Sequence, residues 1–143
     1  MTRDALTSGA VIRFPFLWGS EAQRGETEGR KRRPTVVGFR LDDDLLLLFP
    51  ITTKEPSKDR FFREVPDTEK RRGGLDADLR MWIILDEVNV DSVRQSHYLE
   101  PDCKIGRFSR AFVLQIFEAW ARERQSRRIL VTSRRGLVTS RRG

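Results

Sequence analysis

Apolar residues along this chain gather into short runs separated by Gly, Pro and charged clusters, a spacing that belongs to strands more than to long helices. The most apolar run, 45–53, lies between Asp42, Asp43 and Asp44 on one side and Lys54, Glu55 and Pro56 on the other. It reads as a strand buried on both faces. Pro50 has no N–H to give a ladder, so pairing is expected to end or bulge there and bring Thr52 and Thr53 to the rim of the sheet. Upstream, Ile12, Phe14 and Phe16 alternate with Arg13 and Pro15, the period of a half-buried strand over 9–16. A second strand over 34–40 pairs with 45–53 as a hairpin across the turn 41–44. Between these strands, 17–33 is polar, Gly-rich and charged, and is expected to be a long, mobile loop.

Downstream, 61–65 suits a strand stopped by Pro66, and 66–74 suits one helical turn or an open loop. Residues 79–88 read as one long strand, with Leu79, Met81, Ile83 and Leu85 on one face and Arg80, Trp82, Ile84 and Asp86 on the other. Residues 105–108 suit a short strand or turn. Beyond Ser109, an N-cap candidate, Phe112, Val113, Ile116, Phe117 and Trp120 recur at helical spacing, which predicts a helix over about 109–128 packed on the sheet. Several short strands and one packed helix indicate a small fold that is mainly β, or α+β.

Length and charge sharpen this picture. A chain of 143 residues suits one domain that buries a core without disulfides. It divides into a short N-terminal tail (1–8), a single domain (9–128) and a basic tail (129–143) expected to be disordered. That tail ends in a tandem repeat, Leu-Val-Thr-Ser-Arg-Arg-Gly twice over. The formal charge is +7, and 122–143 carries all of the excess, with eight arginines against Glu123. The remaining residues balance, so polyanion binding by the fold must come from local patches. Cys103 and His97 are single, which excludes an internal disulfide and a Cys/His zinc site within one chain. Neither a membrane span nor an export signal is expected, and the cytoplasm is the expected location. Trp82 and Trp120 are expected in the core, His97 at the surface, Cys103 inert, and Asp42 to Asp44 in a turn.

The order of several short motifs resembles the MazF/PemK (Kid-like) family of bacterial toxin–antitoxin systems. Gly9 with Val11 and Ile12 opens the first strand, followed by Gly19-Ser20-Glu21 and by Arg33-Pro34 leading into Val36 and Val37. Pro50-Ile51-Thr52-Thr53, then Leu85-Asp86-Glu87-Val88 with Asp91, and finally Ile105 to Ser109 complete the series. The resemblance spans most of the chain. It implies an SH3-like barrel of the plasmid-maintenance toxin type with a C-terminal helix packed on it, a homodimer, and inhibition by an antitoxin protein. It also implies cleavage of single-stranded RNA without metal or other cofactor. Arg33 and Thr52 match the family's catalytic or RNA-binding positions, and Asp86 matches the proposed base of the Kid-like branch. The chain departs from the pattern in a longer loop, 19–33, in Ala10 for an acidic residue, and in Ile84 for an arginine proposed as the acid.

The chemistry asks for such residues. Metal-free cleavage needs a proton acceptor for the attacking 2′-hydroxyl, a donor for the leaving 5′-oxygen, and donors for charge gathering on the equatorial oxygens. A guanidinium forks onto phosphate oxygens and keeps its charge, which suits Arg33 to the last task. Thr52 can hydrogen-bond the same oxygens. Asp86 as acceptor needs a pKa raised by apolar surroundings. Trp18, at the mouth of the loop, reads equally as a stacking face for a base and as a hydrophobic plug, and Ser20, Glu21, Arg30, Arg32 and Thr53 complete the candidate RNA-binding set. Without the family pattern, 30–33 reads as a solvated basic loop, Thr52 as a strand-end hydroxyl satisfying backbone, and Asp86 as a partner of loop arginines. The rival function is a non-catalytic barrel module that binds a protein, as a gyrase poison does, or nucleic acid.

Overall fold

A computed structural model of the chain describes residues 5–23 and 31–134. Within them, eight strands and three helices follow in the order β1 (Ala10–Phe14), α1 (Gly19–Gln23), β2 (Arg33–Arg40), β3 (Leu45–Thr52), β4 (Phe62–Glu64), α2 (Asp67–Arg72), β5 (Trp82–Ile84), β6 (Glu87–Ser92), β7 (Lys104–Arg107), α3 (Arg110–Glu123) and β8 (Leu130–Ser133). The protein is mainly β. All strands join one sheet, along the path β4-β5-β3-β2-β1-β7, with β6 paired to β3 and β8 paired to β6. Every pairing is antiparallel except that of β6 with β8.

The hairpin of β2 and β3 forms as its apolar pattern predicts, and its turn places Asp44 at φ 63°, a left-handed conformation that Asp tolerates better than most residues. Pro50 is the last β3 residue paired with β2, opposite Thr35. Beyond it the strand changes partner: Leu45 to Leu48 pair with β6, whereas Ile51 and Thr52 pair with β5. A residue without an N–H thus stands where the ladder is handed over.

Alternation along the strands feeds two cores. Val11, Val36, Phe49 and Ile51 point to the face covered by α3, where they meet Phe112, Val113, Ile116, Phe117 and Trp120. Ile12, Phe14, Val37, Leu46 and Leu48 point to the other face and meet Leu6, Val93, Leu99 and Cys103. Because both faces are covered, β1 is not the half-buried strand its period predicts, and Arg13 is its one exposed residue.

No pairing joins β4 to β7, the two ends of the path, among the described residues. Helix α2 spans them. It follows β4 through Pro66, and a Cβ on Gly106 of β7 would lie 2.3 Å from the carbonyl carbon of Gly73 at the α2 C-cap, so backbone rests directly on backbone there. Glu69 of α2 then accepts from the Ser109 N–H (2.8 Å) and hydroxyl (2.7 Å), while Ser109 Oγ caps α3 by accepting from the Phe112 N–H.

Four expectations are corrected. The single strand over 79–88 is two strands, β5 and β6, because its middle turns its backbone away from β3. Leu85 donates to Phe61 O, Leu85 O accepts from the Trp120 indole (3.0 Å), and Asp86 O accepts from Leu130 N–H (2.9 Å). The loop 17–33 opens with α1, and 24–30 lie outside the described residues. Helix α3 stops at Glu123, short of Arg128, since 129–134 are drawn back to the sheet. The tail is therefore not wholly without structure: Leu130 to Ser133 form β8 on β6. Residues 135–143 are outside the described set. Trp82 and Trp120 are buried, His97 is exposed and Cys103 is buried.

Candidate nucleic-acid interface

Arg33 opens β2 opposite Phe14 of β1, and Thr52 closes β3. The β2–β3 register ends at Thr35 opposite Pro50, and each of Arg33 and Thr52 lies two residues further along its own strand. Antiparallel geometry carries both to the same end of the sheet, with Arg33 on the face of Thr35 and Thr52 on the face of Pro50. The sequence order of a basic strand start and a hydroxyl strand end thus becomes one rim.

Arg33 is half-buried, and among the described residues it makes no ion pair. Its guanidinium carbon lies 5.4 Å from the centre of the Trp18 ring, and its Nε is buried with no hydrogen-bond partner. Several other arginines of the fold are matched, Arg40 with Asp44, Arg60 with Asp86, Arg80 with Glu64 and Arg127 with Glu123, whereas Arg124 lies over the Trp120 ring much as Arg33 lies over Trp18. A cation held by an aromatic face and not by a carboxylate keeps its charge available to an outside anion.

The support of Trp18 is built from residues that the sequence reading did not single out for this purpose. Asn89, fully buried on β6, accepts from the Leu17 N–H and donates to the Leu17 carbonyl, both at 2.9 Å. Glu87 accepts from the Gly19 N–H at 2.7 Å, and Glu21 reaches back to the Trp18 N–H at 3.0 Å, the reciprocal half of a capping box. Gly19 is needed for a second reason, because a Cβ there would lie 2.0 Å from Leu130 Cδ2. Phe16 meets the Trp18 ring edge-on at 5.1 Å. Nothing local in the sequence marks Asn89 for this role: between the β-branched Val88 and Val90 it reads only as a polar residue inside a strand. Burial raises the pKa of Glu87, against the lowering effects of the Gly19 amide and Arg60.

Thr52 and the other predicted residues differ in what they contact. Thr52 Oγ1 accepts from the Lys54 N–H (3.0 Å), leaving its own proton to donate, and Thr53 is exposed beside it. Ser20 is exposed on α1. Arg32 donates to Tyr98 O and pairs with Glu100, each at 3.0 Å. Arg30 lies outside the described residues.

Asp86 sits elsewhere, in a cleft of about 230 Å³ lined by Arg60, Glu87, Arg128 and Leu130. Arg60 grips it through two bonds, Nε to Oδ2 at 2.8 Å and Nη2 to Oδ1 at 2.6 Å, and the Phe61 N–H adds a third at 3.2 Å. These three donors occupy both of its oxygens. Arg60, which no sequence motif marked, is in turn held protonated more firmly by its bonds to Asp86.

Among the described residues no three His, Cys, Asp or Glu side chains gather as a metal site, and no helix is long and apolar enough to cross a membrane. Neither a protein-family model nor a curated protein matches the chain.

Proposed function

We propose that this protein is a toxin-type endoribonuclease of the MazF/PemK kind, cleaving single-stranded RNA without metal, held in check by an antitoxin and working as a cytoplasmic homodimer. The observation that carries the reading is Arg33: an arginine stacked on Trp18, free of carboxylates among the described residues, at the same sheet end as the Thr52 hydroxyl. The reading takes the sheet, with α2 spanning its two ends, as an SH3-like barrel.

In this scheme a phosphodiester lies across the rim. Arg33 gathers the charge that grows on the equatorial oxygens as the 2′-hydroxyl attacks phosphorus, and Thr52 donates a further hydrogen bond to them. Trp18 stacks a neighbouring base and fixes the guanidinium. Asp86 contributes by holding Arg60 and the β5–β6 junction, so the proton acceptor is left to another group or to water. Arg33→Ala is expected to lower cleavage by roughly 10²–10³-fold, the usual effect of removing one preorganised charge donor. Cleavage should survive EDTA and leave 2′,3′-cyclic phosphate ends.

The occupied state of Asp86, with Ile84 where the family scheme has its acid, favours one rival: the same rim binds nucleic acid or a protein without cutting. Intact RNA retained by wild type and released by Arg33→Ala would select that rival.

A further inference from the structure

Strand β8 is the first copy of the tandem repeat, and the contacts that seat it are specific. It runs parallel to β6 with Leu130 opposite Glu87 and Ser133 opposite Val90. Leu130 donates its N–H to Asp86 O (2.9 Å), and its side chain fills the space that Gly19 leaves open. Arg134 closes the other end. It is 3% exposed, donates from Nη2 to Pro15 O (3.2 Å), and lies 4.0 Å from the centre of the Tyr98 ring.

The repeat reaches further back than its two obvious copies. Residues 126–134 read Ser-Arg-Arg-Ile-Leu-Val-Thr-Ser-Arg, and 133–141 read Ser-Arg-Arg-Gly-Leu-Val-Thr-Ser-Arg. A slide of seven residues therefore presents the same leucine to Gly19, the same arginine to Pro15 and Tyr98, and the same arginine pair ahead of the strand. Only Ile129 changes, to Gly136.

We infer that the edge of β6 away from β3 is a strand-binding slot that selects an extended Leu-Val-Thr-Ser-Arg segment, and that the second copy, 137–141, fills it in exchange with the first, within one molecule. Main-chain bonds to β6 supply the affinity, and the leucine and arginine pockets four positions apart supply the selectivity. Two terms favour the first copy. The linker from α3 lengthens from six residues (124–129) to thirteen (124–136), which costs about threefold in the equilibrium. Ile129, packed against the α3 core, is replaced by a glycine. An exchange between two molecules gains no contact and gives up the advantage of the tether, so the intramolecular slide is the favoured form.

Cross-linking and unfolding of the full chain test this. In a Cys103→Ser background, Val90→Cys with Ser133→Cys reports the first frame, and Val90→Cys with Ser140→Cys reports the second. The second pair is expected to close as a monomer, and to close several-fold faster when Leu130→Asp and Arg134→Ala disable the first copy or when Gly136→Ile completes the second. Leu137→Asp with Arg141→Ala should abolish it. In urea, the variant disabled in the first copy should unfold nearer to wild type than to the variant disabled in both. The slide is overturned if the second pair never closes while the first does, if it closes only as a disulfide-linked dimer, or if disabling one copy costs as much as disabling both.

Discussion

Asp91 has no exposed surface and keeps its carboxylate among the Ser92 N–H, the Ser96 hydroxyl and the field of Arg134 and His97. Burial outweighs these partners and raises its pKa. The folded protein therefore holds a proton there over a range where the unfolded chain, titrating near 4, has released it. That stability is fully present below the ordinary carboxylate value and is lost as pH rises through the raised one. Asp91→Asn should remove this component, so its stability relative to wild type should improve as pH climbs from about 4 toward neutrality. Chemical denaturation at a series of pH values checks this, and a wild-type-to-variant difference that stays flat would contradict it. Asp44 and Glu64 are lowered chiefly by hydrogen bonds from Arg40 and Arg80, and they titrate alike in both proteins, so they cancel. The pair of Arg60 and Asp86 is a matter of stability: Asp86→Asn should cost about 1–3 kcal/mol, as loss of hydrogen bonds to a charged partner does, while folded molecules keep their RNA binding.

At the scale of elements, the sequence was most legible where one local rule decides. Ser109 begins α3 because its hydroxyl takes the Phe112 N–H, and the stripe from Phe112 to Trp120 buries as its spacing requires. Ser109→Ala should destabilise by about 1 kcal/mol, and by somewhat more because Glu69 loses the hydroxyl donor and keeps only the residue-109 N–H, measurable as a shift of the urea midpoint at unchanged slope. Legibility failed where distant partners decide. Nothing near Leu85 in the chain says that its carbonyl will meet the Trp120 indole, yet that bond and the grip on Asp86 divide one apolar run into β5 and β6. Trp120→Phe, which strands a buried carbonyl, should cost about 1–3 kcal/mol in the same assay, beyond the loss of ring area. The helix end was misplaced for a related reason: past Glu123 the arginine-rich sequence still suits a helix, but Leu130 and Arg134 find better burial beside Gly19 and Tyr98. At the candidate site, Arg33 and Thr52 could be named from the chain, whereas Asn89 and Glu87, which hold the Trp18 segment from β6, are separated from it by about seventy residues and carry no local signal.

For the molecule as a whole, charge and structure divide the labour. The excess of positive charge lies at 122–143, while the rim that carries Arg33 belongs to a part of the chain that is formally neutral. On the proposed reading, affinity from the tail would fall with salt whatever the RNA sequence, and affinity from the rim would depend on one guanidinium. Arg33→Ala should lower the salt slope of RNA binding by roughly 0.7, the value for one phosphate on a single strand. The most direct measurement is cleavage of a mixed-sequence single-stranded RNA in EDTA by wild type, Arg33→Ala and Thr52→Ala, with the product ends identified. The account predicts 2′,3′-cyclic phosphate ends from wild type and their loss from both variants at unchanged thermal stability. Cleavage that persists in both variants, or that stops on EDTA, would contradict it.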